Sequence, residues 1–398
     1  MLVDASRIRP FDASRWVIAA PSGRNLLVNA PAAELYHVLA HAEDEGQALE
    51  RFNARFVADF TPGAFADLIA TQFGGYQLLR DDVATSRPLY PEPYMRLRFE
   101  CLPSKVAGLL AAPLQPLYAP RVFWCTSGLL AVGLLAGHVV GGPAVLPTGA
   151  QLWVALPLVY GSMIIHEFGH VAATSRAGVH HGGIGCGLYA YLFPVLYANI
   201  TGIWLASRQE RIIANLGGIY SQVLYAGLLA GAYLLSDYEP LRFAASAVSM
   251  MALWQFNPLV RHDGYWLLSD LTNTPNLLPQ AEAVVRESLS VAGVRQLVAS
   301  RGRSLLSWRT ALFAYGVANS ALLFFFIGYT CWHNAQLVLT FPSVLLALLL
   351  KLLHGTLQGS DVNRAQFVVL ALYLVLARYA LSMVGKWRQR PGSLVGAR

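Results

Sequence analysis

Long apolar stretches separated by short polar ones dominate the chain from residue 121 onward. Segments at about 122–140, 150–173, 211–234, 241–260, 310–331, 335–353 and 365–385 mostly reach the ~20 residues a helix needs to cross a bilayer. The first 90 residues read differently. Two short strands are expected at 16–20 and 25–29, on either side of a Pro21-Ser22-Gly23 turn. Apolar positions then recur at helical spacing: Leu35, Val38 and Leu39 after Pro31, then Leu49, Phe52 and Phe56, then Phe65, Leu68 and Ile69. Gly74-Gly75 ends the third helix, and 76–79 reads as a last strand. This pattern divides the chain into a small α+β, winged-helix-like domain (1–90), a Pro-rich connector (91–120), a transmembrane domain (121–385) and a basic tail (386–398).

Composition supports the division. With 55% hydrophobic and only 13% charged residues, the chain is far more apolar than a soluble protein of its length, so an α-helical polytopic membrane protein is expected. The net charge of +7 does not point to nucleic acid, because the arginines lie between apolar runs and form no dense block. They fit membrane topology instead. The opening MLVDASRIRPFDASRW lacks the apolar core of a signal peptide, which leaves the N-terminus in the cytoplasm. The loop at 141–149 is then outside and uncharged, while Arg176, Arg208, Arg211, Arg261 and Arg286 stay inside. Seven spans would put Lys386, Arg388 and Arg390 outside, so about six are expected, with 335–353 (Pro342, Lys351) interfacial or re-entrant. Arg96, Arg98 and Lys105 in the connector suit anionic headgroups, making the lipid bilayer a partner. The Gly-rich, aromatic stretch 177–204 is too interrupted for a helix, and it alternates like strands around 188–197. Irregular backbone at membrane depth belongs beside a cavity, so this segment is the expected substrate-facing wall, with Tyr189 and Tyr191 as contacts. Four scattered cysteines without a CxxC pair indicate neither a disulfide framework nor a thiolate metal site, and they read as small buried apolar residues.

The chemistry sits at the end of the second long apolar run, in His166-Glu167-Phe168-Gly169-His170. On a helix, positions i and i+4 share a face, so both imidazoles reach one Zn2+ while Glu167 addresses a water. Buried without a partner, these groups would be costly, and a metal supplies one. Catalytic zinc takes three protein ligands, and the best third is Asp263 at the inner end of the fourth apolar run, on the same expected side. His262 adjoins Asp263, but neighbours on a helix point about 100° apart and do not easily reach one ion together. His180 and His181 read as interfacial loop residues.

HEFGH followed by NPLVRHDGYWLLSDL resembles the two halves of the active site in site-2-protease-type intramembrane zinc metalloproteases, with 94–280 closest to the putative peptide zinc metalloprotease branch. The resemblance implies that His166, His170 and Asp263 bind zinc, that Glu167 activates water and that Asn257 positions substrate or holds an oxyanion. Members of that family often carry Gly-Pro followed by Asn in the third span; here the run is Asn215-Leu216-Gly217-Gly218. Asn215, Gly218 and Gln222 still share a helical face, which keeps Asn215 and Gln222 as expected substrate contacts. Residues 7–82, with NLLVNAPAAELYHVL, resemble PqqD-like domains, which bind a precursor's leader as an added strand. Together these resemblances imply a multi-pass zinc endopeptidase of the bacterial inner membrane that trims a ribosomally made, modified peptide. A peptide-modifying enzyme and an exporter are the implied partners, and nucleic acid is not. Two alternatives are a non-catalytic zinc protein for peptide export or immunity, and a regulatory protease acting on a membrane-anchored regulator. Intact Glu167 favours an enzyme, and the N-terminal domain without a PDZ-like insertion weighs against the regulatory role.

Overall fold

Three short antiparallel strands open the chain: β1 (Ile8–Pro10), β2 (Arg15–Ala19) and β3 (Asn25–Asn29), in the order β1-β2-β3. Trp16 stands opposite Val28 and Val17 opposite Leu27. Helices α1 (Ala30–His41), α2 (Glu45–Phe56) and α3 (Pro62–Phe73) follow, each started by a side-chain cap, from Asn29, Asp44 and Thr61 respectively. Ile18, Leu35, Tyr36, Leu39, Phe52, Phe65 and Phe73 form their shared core. The structure, a computed structural model, describes residues 3–20, 25–74, 76, 78, 95–141, 147–189, 193–289, 307–354, 356, 361 and 363–388. The Pro21-Ser22-Gly23 turn lies outside them. The strand expected at 76–79 is corrected: the Tyr76 N–H turns back to the Phe73 carbonyl, and Leu78 is buried as an apolar anchor of the core, while 77 and 79 lie outside the described residues. Strand β1 was not expected, because three residues ending in proline carry no alternation.

Prolines segment the next stretch as the connector implies. Strand β4 (Met95–Leu102) leads through Pro103 into α4 (Ser104–Ala111), a 3-10 turn (Ala112–Tyr118) and α5 (Pro120–Gly141). The runs Ser104–Tyr118 and Pro120–Leu134 meet at a bend of 79°. Next come α6 (Leu152–Arg176), strands β5 (Ile184–Tyr189) and β6 (Phe193–Ala198), α7 (Arg208–Asn215), α8 (Gly217–Ser236), α9 (Glu239–Gln255) and α10 (Asp263–Leu271). Strands β4, β5 and β6 form a second sheet in that order. The apolar run expected as one span at 211–234 is corrected to two helices that meet at Leu216: α7, polar through Arg208, Glu210, Arg211 and Asn215, and the apolar α8.

Packing divides the chain into two compact units: Met1–Pro93, Leu97–Gly187 and Val195–Pro275 in one, and Tyr94–Arg96, Leu188–Pro194 and Asn276–Arg398 in the other. The second unit holds helices Leu277–Ser288, Trp308–His333, Ala335–Leu353 and Arg364–Arg388. Phe341 packs on Tyr373 with ring centroids 5.3 Å apart, and the Tyr373 hydroxyl donates to the Val338 carbonyl at 2.8 Å.

Among the described residues, three helices are long and apolar enough to cross a membrane, Gly149–Arg176, Gly217–Ser236 and Trp308–His333, or four if the bent pair is one span. Large apolar side chains on them, such as Trp153, Leu228 and Phe324, face outward, as lipid requires. The reading of the cysteines as buried is corrected: Cys101, Cys125 and Cys331 are exposed and Cys186 is half-buried. Cys125 and Cys331 lie on apolar helices, where lipid can take the place of a protein core.

Candidate metal centre

Helix α6 runs unbroken through the pentad, so His166 and His170 stand one turn apart on one face, with their Nε2 atoms 3.1 Å apart. Asp263, the first residue of α10, brings Oδ2 to 3.1 Å from His166 Nε2 and 3.3 Å from His170 Nε2. The other ring nitrogens are already committed. His166 Nδ1 donates to Gln222 Oε1 at 3.1 Å, and His170 Nδ1 donates to the Ala214 carbonyl at 2.8 Å. In neutral rings those bonds put the protons on Nδ1 and turn the Nε2 lone pairs inward. Two lone pairs and a carboxylate oxygen then converge, and Asp263 Oδ2 is buried with no hydrogen-bond partner. A cation fits such a triangle. Tetrahedral zinc with bonds of ~2.0–2.1 Å keeps its ligands roughly 3.3 Å apart, close to the observed sides of 3.1, 3.1 and 3.3 Å.

Close helix packing supports the histidines. Helix α8 crosses α6 at Gly169, Gly217 and Gly218: a Cβ on Gly169 would meet the Gly217 carbonyl oxygen at 2.3 Å, and one on Gly218 would meet the His166 ring at 2.4 Å. Side chains are excluded there so that His166 can lie against the α8 backbone. One turn along α8, Gln222 bridges the two helices, accepting from His166 and donating to Ser162 Oγ at 3.4 Å. The Tyr118 hydroxyl meets Ser221 Oγ at 2.6 Å and the Gly217 carbonyl at 3.1 Å, tying the crossing to the connector.

Asp263 is held from the far end of its helix. Asp270 lies seven residues on, two turns along the same face of α10. Its Oδ1 accepts from Arg211 Nε at 2.6 Å and its Oδ2 from Asn215 Nδ2 at 2.6 Å. Burial pushes the Asp270 carboxyl up, against the pull of the Arg211 charge and of the hydrogen bonds from Arg211 and Asn215. Arg211 is fully buried, and Phe11 of the N-terminal region lies under its guanidinium at 4.1 Å. Phe11 also stacks on Trp204 at 5.8 Å, while Asp12 Oδ2 accepts from Asn273 Nδ2 at 2.8 Å. The Arg15 guanidinium donates to the Asn273 carbonyl at 2.9 Å. In the sequence Arg211 reads as one of the inside arginines and Asp270 as part of the Ser-Asp-Leu run, and neither position signals that the two meet.

Glu167 is buried beside the triangle, and its carboxylate takes a backbone hydrogen bond from Ala198, the last residue of β6. Asn257 lies in the turn after α9, where its Oδ1 accepts from the Leu259 N–H at 3.0 Å. Asn215 and Gln222, expected as substrate contacts, direct their side chains to Asp270 and to His166 with Ser162. Tyr189 ends β5, and Tyr191 lies outside the described residues. Among the described residues, the group of three ligating side chains is His166, His170 and Asp263; His262 precedes α10 outside it.

No family model matches the chain, and no solved structure does. A stretch of 125 residues, 30% of this chain, is 27% identical to the "Putative peptide zinc metalloprotease protein YydH" of Bacillus subtilis (strain 168). The match spans 48% of that protein, so the chain covers about half the length of the curated relative it resembles.

Proposed function

We propose that the chain is a site-2-protease-type zinc endopeptidase that cleaves a peptide at membrane depth. The observation that carries this reading is the triangle of His166, His170 and Asp263 with Glu167 buried on the same helix turn. When bound there, zinc would polarise the scissile carbonyl and make water acidic enough to attack near neutral pH. Glu167 takes the proton of the attacking water and later gives it to the leaving amine. The backbone N–H of Ala198 faces that carboxylate. Gln222 and Asn215 act from behind, one orienting His166 and the other holding α10 through Asp270. Asn257 is assigned to the oxyanion, and Tyr189 and Tyr191 to the substrate wall. A helical substrate hides its carbonyls, so it must be presented extended. Strand β6 lies at an edge of its sheet and ends at the residue that binds Glu167, which suits pairing with such a peptide.

The N-terminal region is assigned as a PqqD-like, winged-helix-like module that adds the leader of a modified precursor peptide to an edge of its sheet, with β1 and β3 as the edges. The protein is placed in the bacterial inner membrane with its N-terminus in the cytoplasm. It would work alongside a peptide-modifying enzyme and an exporter. Six spans follow if α5, α6, α8, α9, Trp308–His333 and Arg364–Arg388 all cross. At 17 residues, α9 is about 26 Å long, near the lower limit for a span. Reconstituted full-length protein mixed with a peptide substrate that the wild type cleaves tests the reading: Glu167→Gln is expected to keep zinc and leave the peptide whole, and cleavage at the wild-type rate would overturn it.

A further inference from the structure

Away from the metal centre, two reactive side chains meet on the second sheet. Cys101 on β4 and Cys186 on β5 occupy neighbouring strands, and their sulfur atoms lie 3.1 Å apart as free thiols. Cys101 is exposed on a strand whose Arg98 and Glu100 are exposed as well, and Cys186 is half-buried, so an incoming disulfide meets Cys101 first. The backbones of the two strands approach closely there. A Cβ on Gly185 would stand 2.6 Å from the Phe99 carbonyl oxygen, and one on Gly183 would stand 2.3 Å from that of Leu102. The two strands therefore run in close contact beside the thiols, and a bond of ~2.05 Å needs the sulfurs, 3.1 Å apart, to approach by about 1 Å.

We propose that Cys101 and Cys186 form a reversible dithiol–disulfide site, oxidised by thiol–disulfide exchange with a small-molecule or protein disulfide. The Cys101 thiolate attacks one sulfur of the incoming R–S–S–R and expels RS⁻. The Cys186 thiolate then attacks the Cys101 sulfur of the mixed disulfide and expels the second RS⁻. The two cysteines give up two electrons and two protons, and the incoming disulfide leaves as two RSH. The hydrogen bond with Cys101, and burial after it, push the Cys186 thiol up, in keeping with Cys101 as the first to react. The bridge would bear on the neighbouring chemistry, because β5 is followed in the same sheet by β6, whose Ala198 N–H faces Glu167.

The test is a thiol count on full-length protein in detergent after exposure to glutathione disulfide, with the modified residues mapped by peptide mass. Two of the four thiols are expected to disappear together, to map to a Cys101–Cys186 bridge and to return with dithiothreitol, while Cys125 and Cys331 do not bridge. In Cys186→Ser, Cys101 should stop at the glutathione adduct. The proposal is overturned if Cys101 and Cys186 stay alkylatable in wild-type protein, or if the wild type accumulates the Cys101 adduct without the bridge.

Discussion

Gln222 Oε1 lies 3.1 Å from His166 Nδ1, and this contact between two helices sets which ring nitrogen faces Asp263. Replacing the amide by a side chain of similar size, Gln222→Leu, removes the acceptor and frees the ring. Loss of such an outer partner typically lowers metal affinity by about 10–100-fold. Zinc competition with a chelator should show that drop while the helical circular-dichroism signal is kept. An unchanged affinity would mean that Gln222 does not orient the ring.

Gly218 tests the same histidine from the other side. A methyl group there would stand 2.4 Å from the His166 ring, whereas at Gly231 on the same helix it would meet nothing within 4 Å. Gly218→Ala should therefore lose zinc affinity, and Gly231→Ala should keep it and gain about 0.4–1 kcal/mol of stability from the stiffer unfolded chain. The pair of variants separates a clash at the site from a general effect of alanine in α8, with metal content and thermal midpoint as readouts.

The Arg211–Asp270 pair is expected to matter most when only one partner is removed. Asp270→Ala leaves the fully buried Arg211 without its carboxylate, a loss that typically costs about 3–5 kcal/mol. The double variant Arg211→Met, Asp270→Leu removes both charges and should recover most of that stability. Thermal unfolding of wild type, Asp270→Ala and the double variant makes the comparison, and equal loss in the single and double variants would contradict it.

Phe11 covers the same arginine from the N-terminal region. Phe11→Ala uncovers the guanidinium and deletes its stack on Trp204. A desolvated cation–π contact is worth up to about 2 kcal/mol, so the thermal midpoint should fall while zinc content holds. Limited proteolysis of the N-terminal region should accelerate in parallel, and an unchanged cleavage pattern would count against this docking.

Much of this was legible in the residues themselves. The second and third helices follow from the apolar spacing of Leu49, Phe52 and Phe56 and of Phe65, Leu68 and Ile69, and the structure adds their caps, Asp44 and Thr61. His166, His170 and Asp263 were legible as a converging group from i, i+4 spacing in one apolar run and an aspartate at the inner end of another. The parts that escaped are non-local. Nothing along the chain says that Asp270 reaches back to α7, that Gln222 faces a histidine rather than a substrate, or that Cys101 and Cys186, 85 residues apart, lie on adjoining strands. The boundary at Leu216 is local by contrast, and Ile212 and Ile213 obscure it: they extend the apolar run back into α7, which is otherwise polar through Arg208, Glu210, Arg211 and Asn215.

The most direct test is the zinc content of purified full-length protein, measured by mass spectrometry for wild type and Asp263→Ala side by side. About one zinc per chain is expected in the wild type, as for a single three-ligand centre, and only background in the variant, with the helical signal equal in both. Stoichiometric zinc in Asp263→Ala, or none in zinc-supplemented wild type, would contradict the assignment of His166, His170 and Asp263 as one metal site.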